Sequence, residues 1–149
     1  IPQGLEALAQ STDLTVVSYH LTARWKGYEA VEYDLETPLS WDQLFKVVGP
    51  AMFDEAPDAE LRRLLTKYVQ DSCSELDEKE LADADGTPGV GNYRLSQDTF
   101  DRIKVQLVAL KLIAKSARKR GVHDKNTYWS LTRFGEQYLM QLLAERRPL

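Results

Sequence analysis

The side chains equipped for chemistry are few and scattered. His20, His123 and Cys73 are the only imidazoles and thiol in the chain. A zinc site needs such ligands clustered, and these lie far apart in sequence. Each is therefore expected to serve its local element, His20 in a strand and His123 at a hairpin tip. The string Asp83-Ala84-Asp85-Gly86 has the flavour of a calcium loop. Aligning Gly86 with that loop's obligatory glycine puts Leu81 at the first ligand position and Asn92 at the last, where a bidentate glutamate is needed. The alignment fails. Gly86, Gly89 and Gly91 are not followed by the Lys-Ser/Thr pair of a phosphate-cradling loop, and no strand is read before them. No hydroxyl is marked as a nucleophile, and the acidic neighbours of Cys73 do not activate a thiol. The sequence neighbours Asp54-Glu55 and Asp77-Glu78 are read as solvated surface. The expectation is a protein with no catalytic site, no metal and no cofactor.

What remains is charge. The net charge is −4, but it is unevenly spread. From Ile1 to Leu95 there are 18 acidic and 8 basic residues; from Ser96 to Leu149 there are 5 acidic and 11 basic. One end of the molecule is thus equipped to meet an anionic partner, although the chain as a whole is not a nucleic-acid binder by composition. The basic residues concentrate in Lys115, Arg118, Lys119, Arg120 and Lys125, with Arg102 and Lys104 just before them. These are the candidate contacts to a nucleic acid or a partner. Two readings stay open: phosphate contacts with salt-dependent affinity, or the charged tip that any soluble protein gives an exposed hairpin. The same cations are also suited to the acidic segment of a second copy.

The elements that must position these groups follow from periodicity. Leu14 to Trp25 alternates, with Val17, Tyr19, Leu21 and Ala23 on one face, which predicts a strand. Lys26-Gly27 supplies a turn, and Val31, Tyr33 and Leu35 alternate with Glu32, Asp34 and Glu36, completing a β-hairpin with one wet face. Trp25 and Tyr28 flank the turn, either as a contact surface or packed on the helical part. Ser40 and Gln43 form a capping box, and Trp41, Leu44, Phe45 and Val48 share one helical face. Gly49-Pro50 is expected to end that helix through a left-handed cap. A second helix after Pro57 carries Leu61, Leu64, Leu65, Tyr68 and Val69. Between Asp71 and Leu95 the periodicity fades among acids and glycines, which predicts a long acidic loop with at most a helical turn near Glu78. A third helix (97–110) places Phe100, Ile103, Leu107 and Leu110 inward. Leu112-Ile113, the basic stretch and Thr127–Leu131 form a two-stranded wing, with Trp129 and Leu131 inward. Thr132 caps a closing helix whose stripe is Phe134, Tyr138, Leu139, Leu142 and Leu143.

Three helices, a wing and a closing helix, preceded by a β-hairpin, is the order of an α+β winged helix-turn-helix. The run Leu107–Ile113, a basic turn, Tyr128-Trp-Ser-Leu-Thr132 and Gly135 resembles the wing of MarR-type regulators. A broader resemblance rests on Ser40-Trp-Asp-Gln-Leu-Phe, Gly49-Pro50, Phe100-Asp-Arg-Ile-Lys-Val-Gln-Leu and Tyr128-Trp-Ser-Leu-Thr132. These are similar to the C-terminal segment of uncharacterised multidomain bacterial proteins whose N-terminal domain has no known function, some of them linked to stress or phage defence. That resemblance implies an accessory or sensing module and carries no activity with it. Residues 1–39 are then a short helix-like piece around Gly4–Leu8 plus the hairpin, and 40–149 the winged-helix domain with its acidic loop at 71–95. The start at Ile1 reads as a cut from a longer chain. Partners implied are another protein, the chain's own upstream domain or a second copy, with DNA as the alternative. The acidic segment before the third helix argues against DNA, since it would repel phosphates. No apolar stretch approaches the roughly 20 residues needed to cross a bilayer, and no secretory leader is read. With a single cysteine, the expected compartment is the cytoplasm.

Overall fold

A computed structural model describes residue 10 and residues 12–144; the helix-like piece expected around Gly4–Leu8 lies outside the described residues. The chain forms an α+β fold of four helices and two three-stranded antiparallel sheets. The first sheet grows from the hairpin. Strand β1 (Leu14–Arg24) pairs with β2 (Val31–Ser40) in a register running from Leu14↔Ser40 to Ala23↔Val31. Alternation does what it should: Val17, Tyr19, Leu21 and Ala23 are buried, while Ser18, His20 and Thr22 face the wetter side. Gly27 turns the corner at φ +85°, a left-handed conformation that suits glycine.

The hairpin gains a third strand from the segment expected to be a loop. Helix α2 (Asp58–Leu81) does not stop near Asp71, and β4 (Gly89–Leu95) pairs antiparallel with β1, giving the order β2-β1-β4. The expectation of an acidic loop over 71–95 is therefore corrected. The helix continues because its buried stripe continues: Leu61, Leu65, Val69, Cys73 and Asp77 recur every fourth residue and are all buried. Two of the five are not aliphatic, so a search for apolar periodicity loses the stripe. Asp77 is likewise not solvated surface. It is 4% exposed, and its carboxylate accepts hydrogen bonds from the Tyr19 hydroxyl at 2.9 Å and the Tyr93 hydroxyl at 2.7 Å. Only the short connection between α2 and β4 is irregular. It is tied back to the hairpin tip, where Trp25 Nε1 donates to the Gly86 carbonyl at 3.0 Å and the Tyr28 hydroxyl to Asp85 at 3.1 Å. Those contacts account for both tip aromatics.

Helix α1 (Trp41–Val48) starts as expected, with both arms of the Ser40–Gln43 capping box made and Trp41, Leu44, Phe45 and Val48 buried. Its end differs. Gly49 has φ −55° and ψ −47°, right-handed, and runs into a 3₁₀ turn (Gly49–Met52) instead of a left-handed cap. Glycine gives close packing there: a Cβ would sit 2.7 Å from Leu139 Cδ2 of the closing helix, and that side chain would have to shift. Helix α4 (Arg133–Leu143) packs on α1 at this point, with Phe45 and Tyr138 rings stacked at 6.1 Å and the Tyr138 hydroxyl donating to Asp42 at 2.6 Å. Leu139 is fully buried, whereas Leu143, expected on the same stripe, is exposed.

Helix α3 (Gln97–Ala109) is capped by Ser96 and buries Phe100, Ile103 and Leu107. It leads into β5 (Ile113–Lys115), which pairs with β6 (Tyr128–Leu131); β6 pairs in turn with the two-residue β3 (Ala56–Pro57), giving the order β3-β6-β5. The turn from β6 into α4 is fixed by Thr132, whose amide donates to the Leu112 carbonyl at 3.0 Å and whose hydroxyl caps Gly135 N at 2.9 Å. A Cβ on Gly135 would lie 1.9 Å from that same Leu112 carbonyl oxygen. Residues from both sheets and all four helices share one hydrophobic core, from Val17 and Leu21 to Ile113 and Leu139. No helix among the described residues is long and apolar enough to cross a membrane.

Candidate functional site

The basic stretch connects β5 to β6, and its arginines pair with acids that precede β3. Pro57 lies in β3, beside β6, so the residues just before it reach the base of this connection. Arg118 pairs with Asp54 at 2.9 Å and with Glu55 at 3.1 Å. Arg120 pairs with the second oxygen of Glu55, and its guanidinium lies 3.6 Å from the centroid of the Tyr128 ring. Ser116 adds a hydroxyl donor to Glu55 at 2.7 Å. The Glu55 side chain is only 9% exposed at the centre of this arrangement. Hydrogen bonds from Arg120 and then Ser116 hold its carboxyl below the ordinary value of 4.5, and Arg120 is raised in return. Asp124 is also lowered, first by the Asn126 amide and then by the Tyr128 hydroxyl. Two acids read as plain surface thus neutralise two of the cations read as contacts.

The remaining candidates divide. Lys115, Lys119 and Lys125 are exposed and form no ion pair among the described residues. Lys104 is drawn under Trp129: its side chain is 17% exposed, its ammonium lies 3.1 Å from Asp58 and 4.6 Å from the Phe100 ring centroid. Asp58 also accepts from Trp129 Nε1 at 2.7 Å. This is a packed ion pair and not a free contact. Arg102 donates to the Val16 backbone carbonyl, tying α3 to β1. The expected residues are therefore not brought together into one cationic surface.

The outward face of α3 has a different chemistry from the one its position suggested. Val105 is 68% exposed, Val108 follows one turn later, and Asp98 and Asp101 stand exposed on the preceding turns. Val105, Val108, Ala109 and Trp129 line an open, mostly apolar groove of about 550 Å³, edged by Asp101 and Lys104. Sequence reasoning named the charges on this helix and passed over its valines. Their failure to fit the inward stripe of Phe100, Ile103 and Leu107 was the signal available.

Comparison with known families, characterised proteins and solved structures finds no match. Among the described residues no group of His, Cys, Asp and Glu is placed to hold a metal ion. His20 pairs with Asp34 on the exposed sheet face, and Cys73 is a free, buried thiol on α2.

Proposed function

We propose that this chain is a non-catalytic winged-helix module of a larger, cytoplasmic bacterial protein, working by protein contact through the outward face of α3 and the groove beside Trp129. The winged-helix reading is supported by the order α1, α2, α3, β5, β6, α4, with β3 closing the small sheet as its third strand. The observation that carries the protein-contact reading is the pair Val105 and Val108 flanked by Asp98 and Asp101. A helix that reads DNA meets base edges and phosphates with hydrogen-bond donors. This one offers branched aliphatic surface and carboxylates, the composition of a protein-binding patch with a charged rim. The pairing of Arg120 with the nearly buried Glu55 points the same way, since it engages one of the wing's cations.

The alternative, a DNA-binding winged helix using α3 and the wing, draws support from Lys115, Lys119 and Lys125, which are exposed and unpaired among the described residues. Titrating a fluorescent random-sequence duplex at low and moderate salt separates the readings. Protein contact predicts no association even at low salt. Association that weakens as salt rises, and that disappears in a Lys115→Glu/Lys119→Glu/Lys125→Glu variant, would overturn it in favour of DNA.

A further inference from the structure

A second groove, sharing no residue with the one beside Trp129, runs between α2 and β4. It is open, about 700 Å³, which falls within the roughly 300–1,000 Å³ of small-molecule sites. Its cationic rim is unusual for an acidic chain: Arg62, Arg63 and Lys67 all come from one side of α2, whereas the Arg94 guanidinium meets Glu32 on the opposite face of the sheet. Among the described residues the only carboxylate lining it is Asp58, which is already engaged by Lys104 and Trp129. Tyr93, Leu95 and Phe100 supply an apolar floor.

Arg62 is the distinctive member. Its guanidinium is held at 2.6 Å by the Gln97 side-chain oxygen and at 2.6 Å by the Leu95 carbonyl. Both partners are neutral, so a half-buried cation is fixed in place without a counter-charge of its own. Two N–H donors are spent on positioning, and a guanidinium carries five. The rest of the fork is pre-oriented for an oxyanion, which arginine recognises in bidentate fashion. The other cations are held loosely. Arg63 pairs with Glu60 and Lys67 with Asp71, both between side chains that are at least 39% exposed. Such pairs are worth only about 0–1 kcal/mol and exchange readily for a better anion.

We propose that this groove binds a small organic oxyanion with an apolar body. The phosphate or carboxylate meets Arg62, with Arg63 and Lys67 adding charge at the rim. The apolar body lies over Tyr93, Leu95 and Phe100. The site is independent of the α3 contact face, so either assignment can fail without the other.

The test uses the whole chain, ¹⁵N-labelled, titrated with phenyl phosphate, inorganic phosphate and benzoate. The expected result is saturable shifts at the Leu95 and Gln97 amides and the Arg62 Nε–H. An aromatic probe should bind about tenfold or more tightly than inorganic phosphate, because the floor contributes as well as the fork. The ratio of phenyl phosphate to benzoate identifies which oxyanion the site prefers. Arg62→Gln should weaken binding by about tenfold or more. Because Arg62 also braces Leu95 and Gln97, Arg63→Gln/Lys67→Gln serves as a second variant. Its changes are at exposed positions, and it should weaken binding with the melting temperature unchanged. Absence of saturable shifts with every probe would overturn the proposal, as would affinities unaltered in both variants. Inorganic phosphate binding as tightly as phenyl phosphate would overturn the role given to the apolar floor.

Discussion

Asp77 and Glu55 are both carboxylates withdrawn from water, and the chain satisfies them in opposite ways. Asp77 sits under the β2-β1-β4 sheet and is held by two neutral hydroxyls, those of Tyr19 and Tyr93, whose rings stack at 5.6 Å. Glu55 sits beside the β3-β6-β5 sheet and is held by two guanidiniums and a serine. The first arrangement fastens the far half of α2 to the sheet and leaves no charge on the surface. The second consumes charge that would otherwise be presented outward. The same residue chemistry is thus a structural clasp in one region and, in the other, a device that decides what the surface can meet. In the clasp, burial and the neighbouring carboxylate push both tyrosine hydroxyls far above their ordinary value, so they remain donors throughout the working pH range.

Breaking the clasp should have the largest effect. Asp77→Ala strands two buried hydroxyls and opens space beneath the sheet, a loss of about 2–4 kcal/mol. Asp77→Asn retains one acceptor oxygen and should cost about half as much. Urea denaturation followed by circular dichroism measures both; equal stability of Asp77→Ala and wild type would show that the hydroxyls find other acceptors.

The arginine cluster should respond more to pH than to dilute denaturant. Glu55 has a folded pKa below the ordinary 4.5, so it binds fewer protons folded than unfolded just below that value. Its contribution is therefore fully present above 4.5 and is lost as pH falls through the lower folded pKa. The Arg118 and Arg120 Nε–H resonances should stay fixed at pH 5 and move together only on further acidification. Glu55→Gln should abolish that transition, and a transition that persists unchanged in it would assign the titration to another group.

The smallest effect is expected on the α3 face. Val105→Asp/Val108→Asp alters exposed positions, so thermal unfolding should shift by no more than about 0.5 kcal/mol per site. A large destabilisation would mean that these valines belong to the core and not to a contact surface.

What was legible in the sequence tracks the range of the interactions. The Ser40 and Thr132 caps and the alternation of β1 are satisfied within a few residues, and the reading located them. The second half of α2 was invisible because Cys73 and Asp77 occupy its buried positions, and the hydroxyls that make Asp77 tolerable there, those of Tyr19 and Tyr93, lie 58 and 16 residues away. The need for glycine at 135 was not legible either, since the obstructing atom is the Leu112 carbonyl across the turn. For the candidate site, the basic residues were identifiable from composition alone, but their fate was not. Glu55 and Arg120 are 65 residues apart, brought together by the pairing of β3 with β6. A charge count places cations on a segment; only the fold says which are already spent.

The pairing of Arg118 and Arg120 with Asp54 and Glu55 is proposed to keep the β5–β6 connection from binding phosphates, although Lys115, Lys119 and Lys125 stay exposed. The most direct measurement is fluorescence anisotropy of a random-sequence duplex at low salt, comparing wild type with Asp54→Asn/Glu55→Gln. The wild type should show no association, and the variant a salt-sensitive gain, as Arg118 and Arg120 join Lys115, Lys119 and Lys125. Wild-type binding that the variant does not strengthen would contradict it.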